Sequence, residues 1–200
     1  MGLPTPAEAE ALLLEAERLN PGPWVQHSRH VALAAKLIAA QHPSLEPERV
    51  HTLGLLHDIG RRTGPNGARH VIDGYDYLMT LGFNEAARVA LTHSFAVQDV
   101  ETLLGVRDDA PLERDRLTEL LGALEYTEED RLFQLCDILG GPGGFCFMQE
   151  RLLDVALRLG VTARSADKWR AQLALKTHFD QMCGLNVYRL LPNLCERLLA

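Results

Sequence analysis

A histidine and an aspartate, His57 and Asp58, stand side by side at the end of an apolar run in the stretch GLLHDIGRR, residues 54–62. An unpaired carboxylate buried there would be costly, so Asp58 needs either a cation or hydrogen-bond donors. Imidazole nitrogens and carboxylate oxygens are common ligands of divalent transition metals. The pair therefore indicates a metal site, with one alternative: at a helix end, Asp58 could bind a nearby arginine instead.

Further histidines and one aspartate continue the apolar faces of predicted helices. Side chains three or four positions apart share one face of a helix, so a polar group at that spacing from apolar residues points toward the core. Four candidates lie four positions from an apolar residue: His27 before Val31, His57 after Leu53, His93 after Val89 and Asp137 after Phe133. Another histidine, His70, lies between the adjacent pair and His93.

A single histidine on an apolar face is more commonly a core residue that hydrogen-bonds a carbonyl, and a His-Asp pair also occurs by chance. The joint pattern is more informative, because the candidates fall on separate predicted helices. A shared metal would satisfy the carboxylates of Asp58 and Asp137 together. The remaining histidines do not join the pattern and are predicted to lie at the surface or to support the site: His30, His42, His51 and His178.

Helices must position these residues, because helical spacing of apolar residues recurs along most of the chain. The predicted helices span residues 6–19, 24–41, 47–59, 67–82, 84–94, 127–139, 145–159, 165–181 and 186–199. TEED at 127–130 resembles a capping box. Prolines and glycines mark breaks at 61–67, 105–112 and 140–144. No alternating apolar and polar run is long enough to predict a sheet, so the expected fold class is all-α.

The composition favours a single soluble domain over residues 1–200, since 46% of the residues are hydrophobic and can form a core. A net charge of -7 disfavours binding to a nucleic-acid polymer or to an anionic membrane. The amino terminus lacks the basic region of an export signal, and the longest apolar stretch, VALAAKLIAA, is too short to span a membrane. The four cysteines form no C-x-x-C pair. We therefore expect a cytoplasmic protein with reduced thiols.

The order of the candidate residues resembles the HD superfamily of metal-dependent phosphohydrolases. LLHDIG is similar to its HDIG signature, and HSRHVALAA resembles the helix with its first ligand. ARHVIDGYDYL and ARVALTHSF resemble the two helices with the middle histidines, and FQLCDILG resembles the helix with the last aspartate. The similarity covers about residues 21–140 and implies an all-α HD-domain helical bundle, with residues 145–200 as a C-terminal helical extension. Predicted bacterial HD hydrolases of unassigned substrate resemble the chain most.

The resemblance implies a set of six metal ligands: His27, His57, Asp58, His70, His93 and Asp137. In the binuclear branch of the family, the aspartate of the HD pair bridges two ions. Carried over, one ion would bind His27, His57, Asp58 and Asp137, and the other would bind Asp58, His70 and His93. Such a nitrogen-rich set suits iron or manganese, with zinc as a further option, better than magnesium or calcium. Two ions can activate a hydroxide for attack on phosphorus, which gives His57 and Asp58 a catalytic role.

Two arginines follow the signature, where many family members carry a basic residue. Arg61 or Arg62 could clamp phosphate oxygens in a bidentate contact. The alternative is a surface arginine that is favoured by the dipole at the carboxyl end of a helix. Arg61 and Arg62 are therefore candidate substrate-binding residues.

Three classes of function follow from these patterns. The favoured class is a metal-dependent phosphohydrolase that acts on a small phosphoester or nucleotide through a metal-activated hydroxide. The second is an HD-type di-iron oxygenase, because some relatives with the same six ligands activate oxygen instead of water. The third is a regulatory binding module that retains metals for structure, although the complete ligand set argues against it. The sequence does not predict the oligomeric state.

Overall fold

The computed structural model describes residues 2–65, 67–103 and 111–198, and in this part of the chain it confirms the all-α prediction. Its helices are α1 (Pro6–Leu19), α2 (Pro23–Ala39), α3 (Pro47–Leu56), α4 (His70–Thr80), α5 (Asn84–Thr92), α6 (Pro111–Gly122), α7 (Glu128–Leu139), α8 (Met148–Leu159) and α9 (Ser165–Cys183). Short 3₁₀ turns lie at Ile59–Thr63, Gly67–Arg69, Val100–Thr102, Val187–Leu190 and Glu196–Leu198. Within the described ranges, the only strands are β1 (Gly140–Gly141) and β2 (Gly144–Phe145), which form an antiparallel hairpin. None of the described helices is both long and apolar enough to cross a membrane.

Local sequence explains where several helices begin. A proline is the first residue of α1, α2 and α3, where no intrahelical hydrogen bond requires its missing N–H. Capping boxes begin two helices: the Thr5 hydroxyl accepts from the backbone N–H of Glu8 in α1, and the Thr127 hydroxyl accepts from that of Asp130 in α7. The second box is the one predicted from the sequence TEED.

Two glycines allow the close helix contacts on either side of His57. Gly54 of α3 faces Ala32 of α2, and a Cβ on Gly54 would come within 2.6 Å of the Ala32 Cα. A Cβ on Gly60 would lie 2.0 Å from the carbonyl oxygen of His70, the first residue of α4. A larger residue at either position would force the backbone apart. The two glycines thus bring the chain around His57 against both α2 and α4.

The end of α3 differs from the prediction, because the helix stops at Leu56 rather than at residue 59. The backbone N–H of His57 bonds the Gly54 carbonyl in the tighter 3₁₀ pattern. The chain then passes through Asp58 into the 3₁₀ turn Ile59–Thr63, so the predicted loop at 61–67 is partly helical. His57 and Asp58 therefore lie at a junction between elements instead of on a regular helix.

The helix predicted over residues 186–199 is wrong. The described residues there form two 3₁₀ turns, at Val187–Leu190 and Glu196–Leu198. Pro192 lacks a backbone donor and disfavours the α conformation at Leu191, which adopts φ -90° and ψ 120°. Asn193 follows with a positive φ of 60°. The apolar residues whose spacing suggested a helix are nevertheless buried in this segment: Val187, Leu191 and Leu194.

The sequence patterns do not predict α6. Its first residue, Pro111, falls in the predicted break at 105–112, of which residues 105–110 lie outside the described part of the chain. Leu117 and Leu121 of α6 are buried in a hydrophobic cluster that also contains Phe95. A single pair of buried leucines in a largely polar helix is a weak periodic signal.

The C-terminal helices pack against the helices that carry the predicted motif. α9 contacts α7, and Phe179 of α9 is fully buried. Glu128, at the start of α7, accepts a hydrogen bond from His42 Nε2 at 3.2 Å and another from His178 of α9. His178 therefore attaches α9 to α7, and His42 attaches the segment after α2 to the same glutamate; both are histidines predicted to lie outside the metal set.

Replacing Glu128 with Gln tests this attachment. Partial burial opposes the ionisation of Glu128, but hydrogen bonding and charge from His178 and His42 outweigh it and hold the pKa of Glu128 below its usual value. The carboxylate therefore stabilises the fold above the unfolded-state pKa of 4.5, and this contribution is lost as the pH falls through the lower folded-state pKa. We expect Glu128→Gln to lower the free energy of unfolding by about 1 to 2 kcal/mol at neutral pH, measured by urea denaturation.

The difference between wild type and Glu128→Gln is expected to shrink below pH 4.5, because the unfolded state then binds the proton first and the folded state follows at lower pH. Glu119→Gln, at an exposed position of α6, serves as the control and should not change stability measurably. A difference between wild type and Glu128→Gln that stays constant as the pH is lowered would contradict the assignment.

Candidate metal centre

The structure brings all six predicted ligands together where several helices meet. Four of them lie at helix ends: His57 and Asp58 directly after α3, His70 as the first residue of α4, and His93 directly after α5. The other two, His27 and Asp137, lie within α2 and in the last turn of α7. The four histidines and Asp58 are at most 5% exposed, whereas Asp137 is half-buried.

The first ligand group consists of His27, His57 and Asp137. The Nε2 atom of His27 lies 3.1 Å from Asp137 Oδ1 and 3.2 Å from His57 Nε2. The Nε2 atom of His57 lies 3.7 Å from the same Asp137 oxygen. His27 and Asp137 are 110 positions apart in the chain, so the packing of α2 against α7 creates this group.

The second ligand group consists of Asp58, His70 and His93. The Oδ1 atom of Asp58 lies 3.1 Å from His70 Nε2 and 3.6 Å from His93 Nε2. The two Nε2 atoms are 3.4 Å apart. The other oxygen of Asp58, Oδ2, lies 3.9 Å from His27 Nε2 in the first group. The carboxylate of Asp58 therefore faces both groups, one oxygen toward each.

Backbone carbonyls hold all four imidazole rings in the same orientation, with Nδ1 toward the backbone and Nε2 toward the other ligands. Each Nδ1 atom bonds a carbonyl oxygen: His27 to Gly140 at 2.6 Å, His57 to Gly54 at 2.8 Å, His70 to Gly67 at 2.5 Å, and His93 to Ala90 at 3.0 Å and Val89 at 3.2 Å. A carbonyl oxygen only accepts, so each neutral ring carries its proton on Nδ1 and directs the Nε2 lone pair toward the centre. Metal-binding histidines adopt this tautomer, oriented by the same kind of hydrogen bond.

The centre has an excess of acceptors, and this excess tests whether the residues fit a metal. With Nδ1 protonated, the facing Nε2 atoms of His27 and His57 are both acceptors, and the same holds for His70 and His93. The Oδ1 atom of Asp58 is buried and accepts no hydrogen bond from the described residues. Buried acceptors that face each other are unfavourable unless a cation lies between them. The residues therefore fit a metal, and three sets of three of their ligand atoms lie within 4.8 Å of one another.

Nearby charges keep both carboxylates ionised. Burial opposes the ionisation of Asp58, but the positive charge of Arg61 and the adjacent histidines outweigh it and hold the pKa of Asp58 well below its usual range. Burial also opposes the ionisation of Asp137, but the close contacts of its carboxylate with the imidazoles of His27 and His57 hold the pKa of that carboxyl low. Both aspartates are thus in the form that binds a cation.

The pKa values of the histidines differ between the two groups. Burial lowers the pKa of His70 to about 4 and that of His93 to about 3. Burial opposes the charged form of His57 as well, but the nearby carboxylates of Asp137, at 3.7 Å, and Asp58 outweigh burial and raise the pKa of His57. The second group therefore offers two neutral imidazoles at neutral pH, as metal binding requires.

Arg61 contacts the centre directly. Its Nε atom donates to Asp58 Oδ2 at 2.6 Å, and one of its terminal nitrogens lies 3.3 Å from His70 Nε2. The guanidinium also lines the cavity described below. The alternative reading of the sequence, in which Asp58 binds a nearby arginine, is therefore also realised, but it occupies only one of the two carboxylate oxygens.

Arg62 points away from the centre. Its Nη2 atom lies 3.3 Å from a carboxylate oxygen of Glu15, and its guanidinium lies 4.0 Å from the centroid of the Tyr77 ring. Arg62 is not among the residues that line the cavity. Of the two candidate substrate-binding arginines, the structure brings Arg61 to the site and leaves Arg62 in a contact between α1 and α4.

A cavity of about 860 Å³ opens beside the ligand groups, a volume typical of small-molecule pockets. Five of the six ligands line it: His27, Asp58, His70, His93 and Asp137. Its lining also includes Lys168, Trp169 and Gln172 of α9, which lie outside the segment that carries the motif. The sequence patterns do not identify these residues. Their one signal is the four-residue spacing of Lys168 and Gln172, and polar pairs at that spacing ordinarily face solvent.

Comparison with protein families matches residues 24–140 of the chain to the HD domain. The matched segment contains all six ligands and ends where the predicted segment 21–140 ends. No curated protein and no solved structure gives a significant match. Because the match covers more than half of the chain, the chain belongs to the HD-domain family, most of whose members are metal-dependent hydrolases.

Proposed function

We propose that the protein is a metal-dependent phosphohydrolase that acts on a small phosphoester or a nucleotide. The observation that carries the proposal is the carboxylate of Asp58, whose two oxygens face two separate groups of imidazole nitrogens. Two divalent ions bound there would polarise phosphoryl oxygens and activate water for attack on phosphorus. Iron or manganese suits the nitrogen-rich ligand set, with zinc as the next choice.

The division of ligands between the two ions follows the two groups. One ion is proposed to bind His27, His57, Asp58 and Asp137, and the other is proposed to bind Asp58, His70 and His93. The short distances within each group support this division. The carbonyls that hold each Nδ1 keep the Nε2 lone pairs directed inward, so the rings need not reorient when a cation binds.

Arg61 has two proposed roles. Its hydrogen bond to Oδ2 orients Asp58, the carboxylate that both groups share. Its guanidinium also lines the cavity, where it can donate to the oxygens of a phosphoryl group. Burial opposes the charged form of Arg61, but the charge of Asp58 outweighs burial and raises the pKa of the guanidinium. Arg61 therefore keeps its positive charge inside an otherwise acidic protein.

Arg61→Ala is expected to lower kcat/KM by one to two powers of ten, about 1.4 to 3 kcal/mol, because a charge-assisted contact to the phosphoryl group is lost. The measurement is steady-state phosphate release by metal-loaded protein, with metal content determined in parallel. Arg62→Ala is the matched control and should leave kcat/KM nearly unchanged, since Arg62 contacts Glu15 and Tyr77 instead. Equal losses in the two variants would contradict a substrate contact by Arg61.

The proposed function is tested by metal analysis and a substrate screen. Protein purified without chelator is analysed for bound metals, and manganese- or iron-loaded protein is then assayed for phosphate release from nucleotides and phosphomonoesters. We expect two ions per chain and release of phosphate or of a nucleotide product. If iron-loaded protein leaves the panel intact but consumes oxygen with a candidate substrate, the HD-type oxygenase replaces the hydrolase. Tight ligand binding without any product would favour the regulatory module.

A further inference from the structure

The α9 wall of the cavity carries two polar groups that are not paired within the described residues. Gln172 is 4% exposed, and its Oε1 atom is buried and accepts no hydrogen bond from them. Lys168 lies one helical turn earlier; the charge of Asp137 acts on its ammonium, but no described carboxylate forms a direct ion pair with it. Both residues line the same cavity as the metal ligands. Buried polar groups ordinarily have partners, so the amide of Gln172 points to a group on a bound molecule.

Lys168 differs from the other cations of the cavity wall in having no direct contact with a described carboxylate. Arg151 and Arg158 both pair with Asp154, at 3.5 and 2.8 Å. Arg61 is hydrogen-bonded to a carboxylate of the metal centre. Among the described cations that line the cavity, Lys168 is thus the one whose charge no carboxylate neutralises by direct contact. An anionic ligand would find an available positive charge there.

The surface around these two groups is largely apolar. Trp24, Leu152, Val155 and Trp169 line the cavity together with them. A phosphoryl group alone would fill only a small part of a cavity of about 860 Å³, so there is room for an organic group against this surface. An organic group placed there would contact the apolar side chains and lie beside Gln172, which lines the same cavity.

We propose that Lys168 and Gln172 form a substrate-specificity subsite, an inference that rests on the proposed phosphohydrolase function. Lys168 binds an anionic oxygen of the phosphoester, and Gln172 Oε1 accepts a hydrogen bond from an N–H or O–H group on its organic part. The substrate class is therefore a phosphoester with a hydrogen-bond donor on the organic part, such as a heterocycle or a sugar. A phosphoester without a donor leaves the amide oxygen unpaired and is bound less well.

Kinetics on three phosphoesters separate the two roles. Adenosine monophosphate offers heterocycle N–H and sugar O–H donors, ribose 5-phosphate offers O–H donors only, and p-nitrophenyl phosphate offers none. Gln172→Leu is expected to lower kcat/KM at least tenfold for the donor-bearing substrates that bind through this amide, and less than twofold for p-nitrophenyl phosphate. Lys168→Met is expected to lower it about tenfold for all three, because the anionic oxygens are common to them.

Matched controls come from exposed positions on α9: Gln181→Leu for the amide and Arg170→Met for the cation. Both should match the wild type on every substrate. If only adenosine monophosphate is sensitive to Gln172→Leu, the donor is an N–H of the heterocycle; if ribose 5-phosphate is equally sensitive, the donor is a sugar hydroxyl. An equal loss on all three compounds, or no loss on any, would overturn the role of Gln172.

Tryptophan fluorescence gives a second measurement that does not require turnover. The chain has two tryptophans, Trp24 and Trp169, and both line the cavity, so ligand binding should change their emission. Gln172→Leu should weaken binding of a donor-bearing phosphoester about tenfold at unchanged metal content. It should not lower Tm, because Oε1 accepts no hydrogen bond in the free protein. If Gln172→Leu fails to fold, Gln172→Met replaces it.

The two measurements distinguish failure of the subsite from failure of the proposed function. Binding that is weakened by Gln172→Leu, in a protein that hydrolyses none of the three compounds, would support the subsite and reject the hydrolase. Hydrolysis that proceeds equally in wild type, Gln172→Leu and Lys168→Met would support the hydrolase and reject the subsite. If none of the three compounds binds, the subsite is also rejected.

Discussion

Asp58→Asn is expected to remove both metal ions and to lower kcat by more than about a thousandfold. The amide keeps the shape of the side chain but lacks the negative charge and one acceptor oxygen. Oδ1 faces His70 Nε2 at 3.1 Å and Oδ2 faces His27 Nε2 at 3.9 Å, so both ligand groups lose a contact. Elemental analysis should show a fall from two ions per chain to almost none.

His70→Ala provides the contrasting result. His70 belongs to the set with Asp58 and His93 alone, so this variant should keep one ion per chain and lose the other. Asp76→Asn is the control, because this carboxylate of α4 pairs with Arg116 at the surface. Equal metal content in wild type and Asp58→Asn would reject the site. A single tightly held ion in the wild type would favour the mononuclear branch of the family, with His70 and His93 as substrate contacts.

Removal of metal is expected to lower Tm by about 5 to 15 °C. Without a metal ion, the facing Nε2 lone pairs lie close together, and the buried Oδ1 of Asp58 accepts no hydrogen bond from the described residues. A ligand present at 100 to 1,000 times its Kd stabilises the folded state by about 2.7 to 4.1 kcal/mol. For a chain of this size, each kcal/mol corresponds to a Tm shift of about 2 to 4 °C. Thermal unfolding with and without a chelator measures the effect.

The same experiment contains its own controls. Adding manganese back to chelated wild type should restore Tm, which shows that the loss is reversible. Asp58→Asn should not respond to the chelator, because its site holds no metal to remove. An unchanged Tm in chelated wild-type protein that had contained metal would show that the acceptor-rich centre does not depend on a cation for its stability.

Local patterns in the sequence predicted the fold class and marked several candidate ligands: apolar residues recur at helical spacing, and polar residues such as His27 and Asp137 stand where that spacing requires an apolar one. The complete set of six ligands, including His70, followed from the resemblance to the HD superfamily. The start of α7 was also predictable, because the capping box between Thr127 and Asp130 joins residues three positions apart. Such signals need no knowledge of distant contacts.

Helix ends were less predictable, because packing partners decide where a regular element stops. α3 ends at Leu56, between the close glycine contacts with α2 and α4, and the residues that follow this earlier end join the two ligand groups, His57 in the first and Asp58 in the second. After α9, the spacing of apolar residues suggested a helix over 186–199. The chain there forms 3₁₀ turns on either side of Pro192 instead. The spacing of apolar residues predicts which residues are buried. Whether the backbone there forms an α-helix or 3₁₀ turns depends on tertiary packing.

Packing between elements that are distant in sequence sets which polar residues contact the metal ligands or line the cavity beside them. Arg61 and Arg62 are equivalent in sequence, but Arg61 turns to Asp58, whereas Glu15, 47 positions away from Arg62, draws that residue to the opposite side. In the sequence, Lys168 and Gln172 resemble an ordinary polar pair on a helix. In the folded chain, both residues line the cavity and Gln172 is buried. The physical reason is the same in both cases. A long polar side chain takes its partner from whatever lies within hydrogen-bond reach, and in a folded chain those groups come from elements far apart in sequence.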